Sequence, residues 1–214
     1  MTDYVVAIEL SWAVWYASWV VAAAFTAATV KRARSTIVAY VLEAPGFFFL
    51  LLATVTGRFG APVWQPVSPT HHQIYVLALP GLRLWQPSEV IGWGLFVLSL
   101  PGFLFAWWAR LALGRLWSGT ITRKENHHIV DTGPYALVRH PIYTGLMASV
   151  VMTVAAKGTT VALLGGMLLV VGWTLKARLE ERFLAAELGE AAYAAYRVRV
   201  PMLLPFKVQK DVRS

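Results

Sequence analysis

The chain has 214 residues, of which 57% are hydrophobic and only 14% charged, too short for several domains and too apolar for an ordinary soluble one. Cysteine is absent, which excludes a disulfide framework, a Cys-ligated metal and a thiol nucleophile. A formal charge of +8 fits either a nucleic-acid partner or the basic loops of a membrane protein, and the placement of the charges decides between them.

Roughly 20 apolar residues are needed to cross a hydrocarbon core as a helix. The first such stretch, residues 4–30, lacks the basic start and small-residue cleavage site of a secretory signal and is read as a span. It carries Trp12, Trp15, Tyr16 and Trp19 on one face, a stripe assigned to helix packing or lipid contact. The second stretch is 37–56, with Glu43 and Pro45 inside it, and the third is 89–113. Between them, the Pro-rich segment 57–88 is expected to lie along the membrane surface. Two shorter stretches, 142–156 and 159–175, are separated only by Lys157-Gly158 and read as a helical hairpin. Gly145, Ser149 and Thr153 form a small-residue stripe suited to close packing. Beyond residue 176, charged and apolar residues interleave at helical spacing, predicting an amphipathic helix over 177–197 that continues from the fifth span and ends before Pro201.

The sequence therefore predicts an all-α polytopic membrane protein of about five transmembrane helices, forming one domain over 1–214. Three spans occupy 1–116. The hairpin 142–175 and an amphipathic C-terminal helix occupy 117–214. In this arrangement sixteen of the nineteen Lys and Arg residues share one side, leaving only Arg58, Arg83 and Lys157 on the other. Basic loops concentrate on the cytoplasmic face, so the N-terminus is expected outside and the C-terminus inside, and the net charge needs no nucleic acid.

Ionisable groups at a membrane boundary are the first candidates for chemistry. Two clusters qualify: 133–145, read GPYALVRHPIYTG, at the entry to the fourth span, and 176–181, read KARLEE, at the exit of the fifth. A hairpin brings both to the same face. Pro141 suits the first turn of a helix, which puts Arg139 and His140 at a helix mouth where backbone N–H groups and the dipole attract an anion. Lys176 and Glu180, four residues apart, share a helix face.

The string RHPIYTG preceded by GPY, and followed after the hairpin by EERFLAAELGEAAYAAYRVRVPMLLPF, resembles the C-terminal signature of the isoprenylcysteine carboxyl methyltransferase family and is also similar to membrane phospholipid methyltransferases. The likeness covers residues 123–206. It implies S-adenosylmethionine as cofactor, with contacts at His127, His128, Ile129, Val130, Tyr135, His140, Pro141, Ile142, Tyr143 and Glu180. Arg139, Lys176 and Glu180 are read from their chemistry as the catalytic residues, the two cations to hold an anionic acceptor or the cofactor's carboxylate and Glu180 to anchor a ribose hydroxyl or favour the sulfonium. Lys176 stands where eukaryotic members place a substrate-binding arginine, and an ammonium does not reproduce a bidentate guanidinium. His128 and Ile129 replace residues more usual there, and GEAAY is one residue longer than the family spacing.

The resemblance implies methyl transfer at the cytoplasmic face to a lipophilic or membrane-associated acceptor, a carboxylate, thiol or amine, with membrane lipid as the surrounding partner. His127 and His128 lack a third ligand nearby, so no metal is expected. One alternative is an NADPH-dependent reductase of sterol-reductase type, although that class places an acidic residue where Leu146 stands. Another is a small transporter or membrane assembly protein, for which Glu43 is the main mid-membrane polar group.

Overall fold

A computed structural model describes residues 2–33, 37–59, 83–125 and 128–206. Helix α1 spans Asp3–Ala23, α2 Ile37–Phe59 and α3 Glu89–Leu113. A four-residue turn, α4 (Pro134–Leu137), precedes α5 (Pro141–Lys157), α6 (Thr160–Leu188) and α7 (Glu190–Arg199). The protein is an all-α membrane protein. Three helices, Asp3–Ala23, Glu89–Leu116 and Thr160–Leu188, are long and apolar enough to cross a bilayer, and two apolar helices, Tyr40–Ala53 and Pro141–Lys157, are shorter. Large side chains such as Val14, Val21, Val90 and Leu104 point outward and are more than half exposed, as expected where the surrounding solvent is lipid rather than water.

Two interhelical seams hold the bundle, and both depend on small residues. Along α3 and α5, a Cβ built on Gly145 would stand 2.4 Å from the Gly102 carbonyl oxygen. The Ser149 hydroxyl donates to the Ser99 carbonyl at 2.9 Å, and Trp12 Nε1 donates to Thr153 Oγ1 at 2.9 Å. The expected small-residue stripe is therefore a packing seam, and its hydroxyls are satisfied by backbone carbonyls, Ser149 donating to Ser99 and Thr153 to Ser149, where water is absent. Along α2 and α6, Gly165 lies against Gly46 and Leu50, and Gly172 lies against the Glu43 stem.

The α5–α6 turn is as tight as the sequence predicts. Gly158 adopts φ +61°, and the Thr159 side chain caps α6 by accepting from the Ala162 amide at 3.2 Å. Chain from before α3 sits on this turn: the Leu84 amide donates to the Gly158 carbonyl at 2.7 Å and Trp85 Nε1 to the Ala155 carbonyl at 2.7 Å. Most of the segment expected at the membrane surface, 60–82, lies outside the described residues. Lys157 is buried and forms an ion pair with Glu9 of α1, so this nominally external lysine joins two helices.

Two expectations about helix extent need correction. The first span stops at Ala23 rather than residue 30. Buried Arg110 donates to the Ala22 carbonyl at 2.7 Å and to the Gly114 carbonyl at 2.6 Å, capping α1 from α3, and β1 (Thr29–Arg32) then pairs antiparallel with β2 (Thr122–Lys124). The amphipathic C-terminal segment is two helices, not one. Gly189 takes φ +105°, ending α6 and starting α7, a conformation open to glycine and costly to residues with a Cβ. Helix α7 ends before Pro201 as expected, with Val200 extended.

Candidate active site

The site is assembled at the end of the bundle where the basic residues gather. Val138 is extended, His140 forms the N-cap and Pro141 occupies the first turn of α5, as its missing N–H and fixed φ favour. The chain beyond α7 returns beside this mouth. The Arg139 amide donates to the Pro201 carbonyl at 2.9 Å, the His140 amide to the Met202 carbonyl at 3.1 Å, and Thr144 Oγ1 to the Leu203 carbonyl at 2.7 Å. The chain's own carbonyls therefore take up the amides of Arg139 and His140 that precede the first turn of α5.

The two clusters meet side chain to side chain. Arg139 Nε donates to Glu181 Oε1 at 2.7 Å, and its guanidinium also reaches the Val200 carbonyl and, at 3.2 Å, that of Arg197. His140 Nε2 lies 3.2 Å from the same Glu181 oxygen, and Arg197 Nε is 3.5 Å from the other. The His140 ring stacks on Tyr143 at 5.7 Å, and the Tyr143 hydroxyl donates to Glu180 Oε2 at 3.2 Å. Glu181 therefore ties the hairpin ends together, while Glu180, about a third exposed, faces the opening.

Lys176 turns toward α2. Its Nζ stands 3.4 Å from both oxygens of Glu43 and hydrogen-bonds Oε2, lying 4.9 Å from the Tyr40 ring and 5.9 Å from that of Tyr143. Lys176 and Glu180 share a face as the spacing predicts. They are held by different neighbours, so the face presents one paired cation and one accessible carboxylate.

These residues border a cavity of about 240 Å³. The cavity brings together His128, Ile129, Val130, Tyr135, Arg139, His140, Ile142, Tyr143, Lys176 and Glu180. Pro141 is buried and is not among the lining residues; it fixes the helix start that aims His140. His127 lies outside the described residues. A second ring of tyrosines closes the rim: the Tyr196 hydroxyl donates to the Tyr135 carbonyl at 2.8 Å, and Tyr193 packs edge-on to Tyr196. Burial pushes the phenols of Tyr135, Tyr193 and Tyr196 well above their ordinary range, helped at Tyr135 by Glu180 and at Tyr193 by Glu181, so all three remain neutral hydrogen-bonding groups.

The sequence reading missed the N-terminal half of the wall. Trp15, Tyr16 and Trp19 of α1, Glu43 and Phe47 of α2 and Trp173 of α6 all line the cavity. The signal was present in the aromatic face of α1 and in the lone mid-span glutamate. Only the packing of α2 against α6, and of α1 against α3 and α5, shows that both turn inward.

The fold and site define a class: an all-helical integral membrane protein whose C-terminal hairpin carries a tyrosine-rimmed cavity at one end of the bundle. Residues 95–186 match the model of the isoprenylcysteine carboxyl methyltransferase (ICMT) family. The match begins within α3, earlier than the motif likeness, and ends before GEAAY. It contains both clusters, and the family resemblance read from them is borne out over this region. The chain is also similar to the cobalt-zinc-cadmium resistance protein CzcN of Cupriavidus metallidurans, 35% identical over 98 residues, 44% of this chain and 43% of that protein. The chain thus spans less than half the length of this curated relative.

Proposed function

We propose that the protein transfers a methyl group from S-adenosylmethionine to a lipophilic or membrane-associated acceptor, a carboxylate, thiol or amine, with the basic end of the bundle facing the cytoplasm. The observation that carries this reading is the convergence of His140 and Tyr143 from α5 with Lys176 and Glu180 from α6 on one cavity, within the region that matches the methyltransferase family.

The donor set fits the cofactor. Glu180 offers an accessible carboxylate suited to ribose hydroxyls or to a sulfonium, and Ile129, Ile142 and Leu184 provide apolar surface for a base among the lining residues. His127, His128, Ile129 and Val130 are assigned to the cofactor's edge, and Tyr135, His140, Ile142 and Tyr143 to its walls. Bound there, the cofactor supplies an electrophilic methyl group and a neutral thioether leaving group. The protein's task is then to align donor and acceptor and exclude water. Glu180 and Lys176 contact the reactants. Arg139, engaged by Glu181 and two carbonyls, is a positioning residue that fixes the α5 mouth, as is Pro141.

Calorimetric titration of the detergent-purified protein with S-adenosylhomocysteine tests the reading. Wild type should bind, and Glu180→Gln should weaken binding by about tenfold, the worth of one hydrogen bond to a charged group. Failure of wild type to bind either S-adenosylhomocysteine or S-adenosylmethionine would overturn it.

A further inference from the structure

Glu43 is 8% exposed, lies on α2 outside the family-matched region and lines the cavity. Its Oε2 accepts from Lys176, while its Oε1, ion-paired with the same Nζ at 3.4 Å, has no hydrogen-bond partner among the described residues. A buried carboxylate oxygen without a donor is unusual, because desolvation costs are ordinarily met by at least one hydrogen bond. Room has been made for it: Gly172 lies where a Cβ would come within 3.3 Å of Glu43 Cγ. Among the described residues, Arg139 and Lys176 are the Lys and Arg side chains lining the cavity, and each already faces a carboxylate, Glu181 and Glu43 respectively. An anionic acceptor meets no uncommitted cation here. A proton-bearing acceptor meets a carboxylate oxygen that accepts no hydrogen bond among the described residues.

The surroundings of Glu43 are apolar and aromatic. Phe47 follows one helical turn along α2 and packs against Trp173 at 6.0 Å, and Trp15 and Trp19, their rings 4.7 Å apart and tilted by 33°, line the same cavity. Tyr143 links this compartment to Glu180, since Lys176 lies over its ring and its hydroxyl donates to Glu180.

The geometry points to Glu43 and its aromatic neighbours as the acceptor subsite, selecting an apolar molecule with a hydroxyl, thiol or amine head and rejecting carboxylates. This inference rests on the methyl-transfer reading and narrows its acceptor class. The acceptor's X–H donates to Glu43 Oε1 and its lone pair forms the new X–CH3 bond. The donor's S–CH3 bond breaks with its electron pair passing to sulfur, and the proton passes to the Glu43 carboxylate, which returns it to solvent after product leaves. Lys176, ion-paired with Glu43 at 3.4 Å, holds that carboxylate in place beside the acceptor.

Eight-carbon probes of matched length test this: octanol, octanethiol, octylamine and octanoate, titrated into the full-length protein in detergent with S-adenosylhomocysteine at saturation. At least one of the three protic probes should bind saturably to wild type and octanoate should not, with the individual arms reporting which head group is preferred. In Glu43→Gln the protic probe should weaken by about tenfold or more, as loss of a charge-assisted hydrogen bond requires. Octanoate should gain affinity, because Lys176 is released. A residue that merely supports the fold does not invert head-group preference. Because Glu43→Gln strands a buried lysine, the Glu43→Gln/Lys176→Met double variant provides a second arm that removes both partners, in which discrimination between octanoate and the protic probe should collapse. Preferential binding of octanoate to wild type, or unchanged preference in both variants with S-adenosylhomocysteine affinity retained, would overturn the inference alone. Loss of S-adenosylhomocysteine binding in wild type would instead overturn the methyl-transfer reading on which it stands.

Discussion

Replacing Arg139 with Gln removes the cation at the centre of the hairpin mouth. The Arg139 and Glu181 side chains are 8% and 7% exposed, so water screens their interaction little. Breaking a buried pair by deleting one partner costs about 3–5 kcal/mol, because the remaining charge stays buried. Glu181 retains His140 at 3.2 Å and Arg197 at 3.5 Å, which places the expected loss near the lower end, about 3 kcal/mol. Neutralising Glu181 as well removes the stranded charge, so Arg139→Gln/Glu181→Gln should recover a large part of that loss, a coupling of about 1–3 kcal/mol. Thermal unfolding of the four proteins of this cycle in one detergent, with S-adenosylhomocysteine affinity measured alongside, reads both quantities. A single variant as stable as wild type, or strictly additive losses, would refute the structural role given to this pair.

Three further outcomes follow from the geometry. Gly145→Ala drives a Cβ to 2.4 Å from the Gly102 carbonyl and should destabilise by about 1–3 kcal/mol through overpacking, measured as a lowered midpoint of unfolding. Trp12→Phe keeps the aromatic contacts but loses the hydrogen bond to Thr153, for an expected loss of about 1 kcal/mol, near the value for polar contacts inside membranes. In ultraviolet titration, Tyr135, Tyr193 and Tyr196 should remain unionised beyond the ordinary phenol range, because burial favours the neutral form. These raised folded-state values leave their stabilising contribution intact below the unfolded pKa of about 10 and remove it progressively as pH rises above that, so stability should fall on the alkaline side. Ionisation of all tyrosines together near pH 10 in the folded protein would contradict it.

The parts of the fold written locally were readable before the structure. The bounds of α3, the Pro141 start of α5 and the Gly158 turn each depend on a residue whose backbone chemistry leaves few options, and the glycine and hydroxyl stripe on α5 announces a close seam. The parts that depend on distant partners were not. Residue 24 onward continues the apolar run, and it is Arg110 of α3, far along the chain, that ends α1 at Ala23. Gly189 marks a break only once its positive φ is seen. The same division runs through the candidate site. His140, Tyr143, Lys176 and Glu180 come together because the hairpin's two ends are adjacent by construction. Glu43 and the tryptophans of α1 join them only through the packing of α1 and α2, which hydropathy does not specify. Spacing put Lys176 and Glu180 on one face but gave no sign that Glu43 would claim the lysine.

The central claim is that this membrane protein moves methyl groups. Membranes containing the wild-type chain, supplied with S-adenosylmethionine tritiated on its methyl group, should accumulate label in an organic-extractable product that is absent from membranes lacking the chain and reduced in those carrying Glu180→Gln. Equal labelling of all three membranes, with the protein folded and present, would contradict the account.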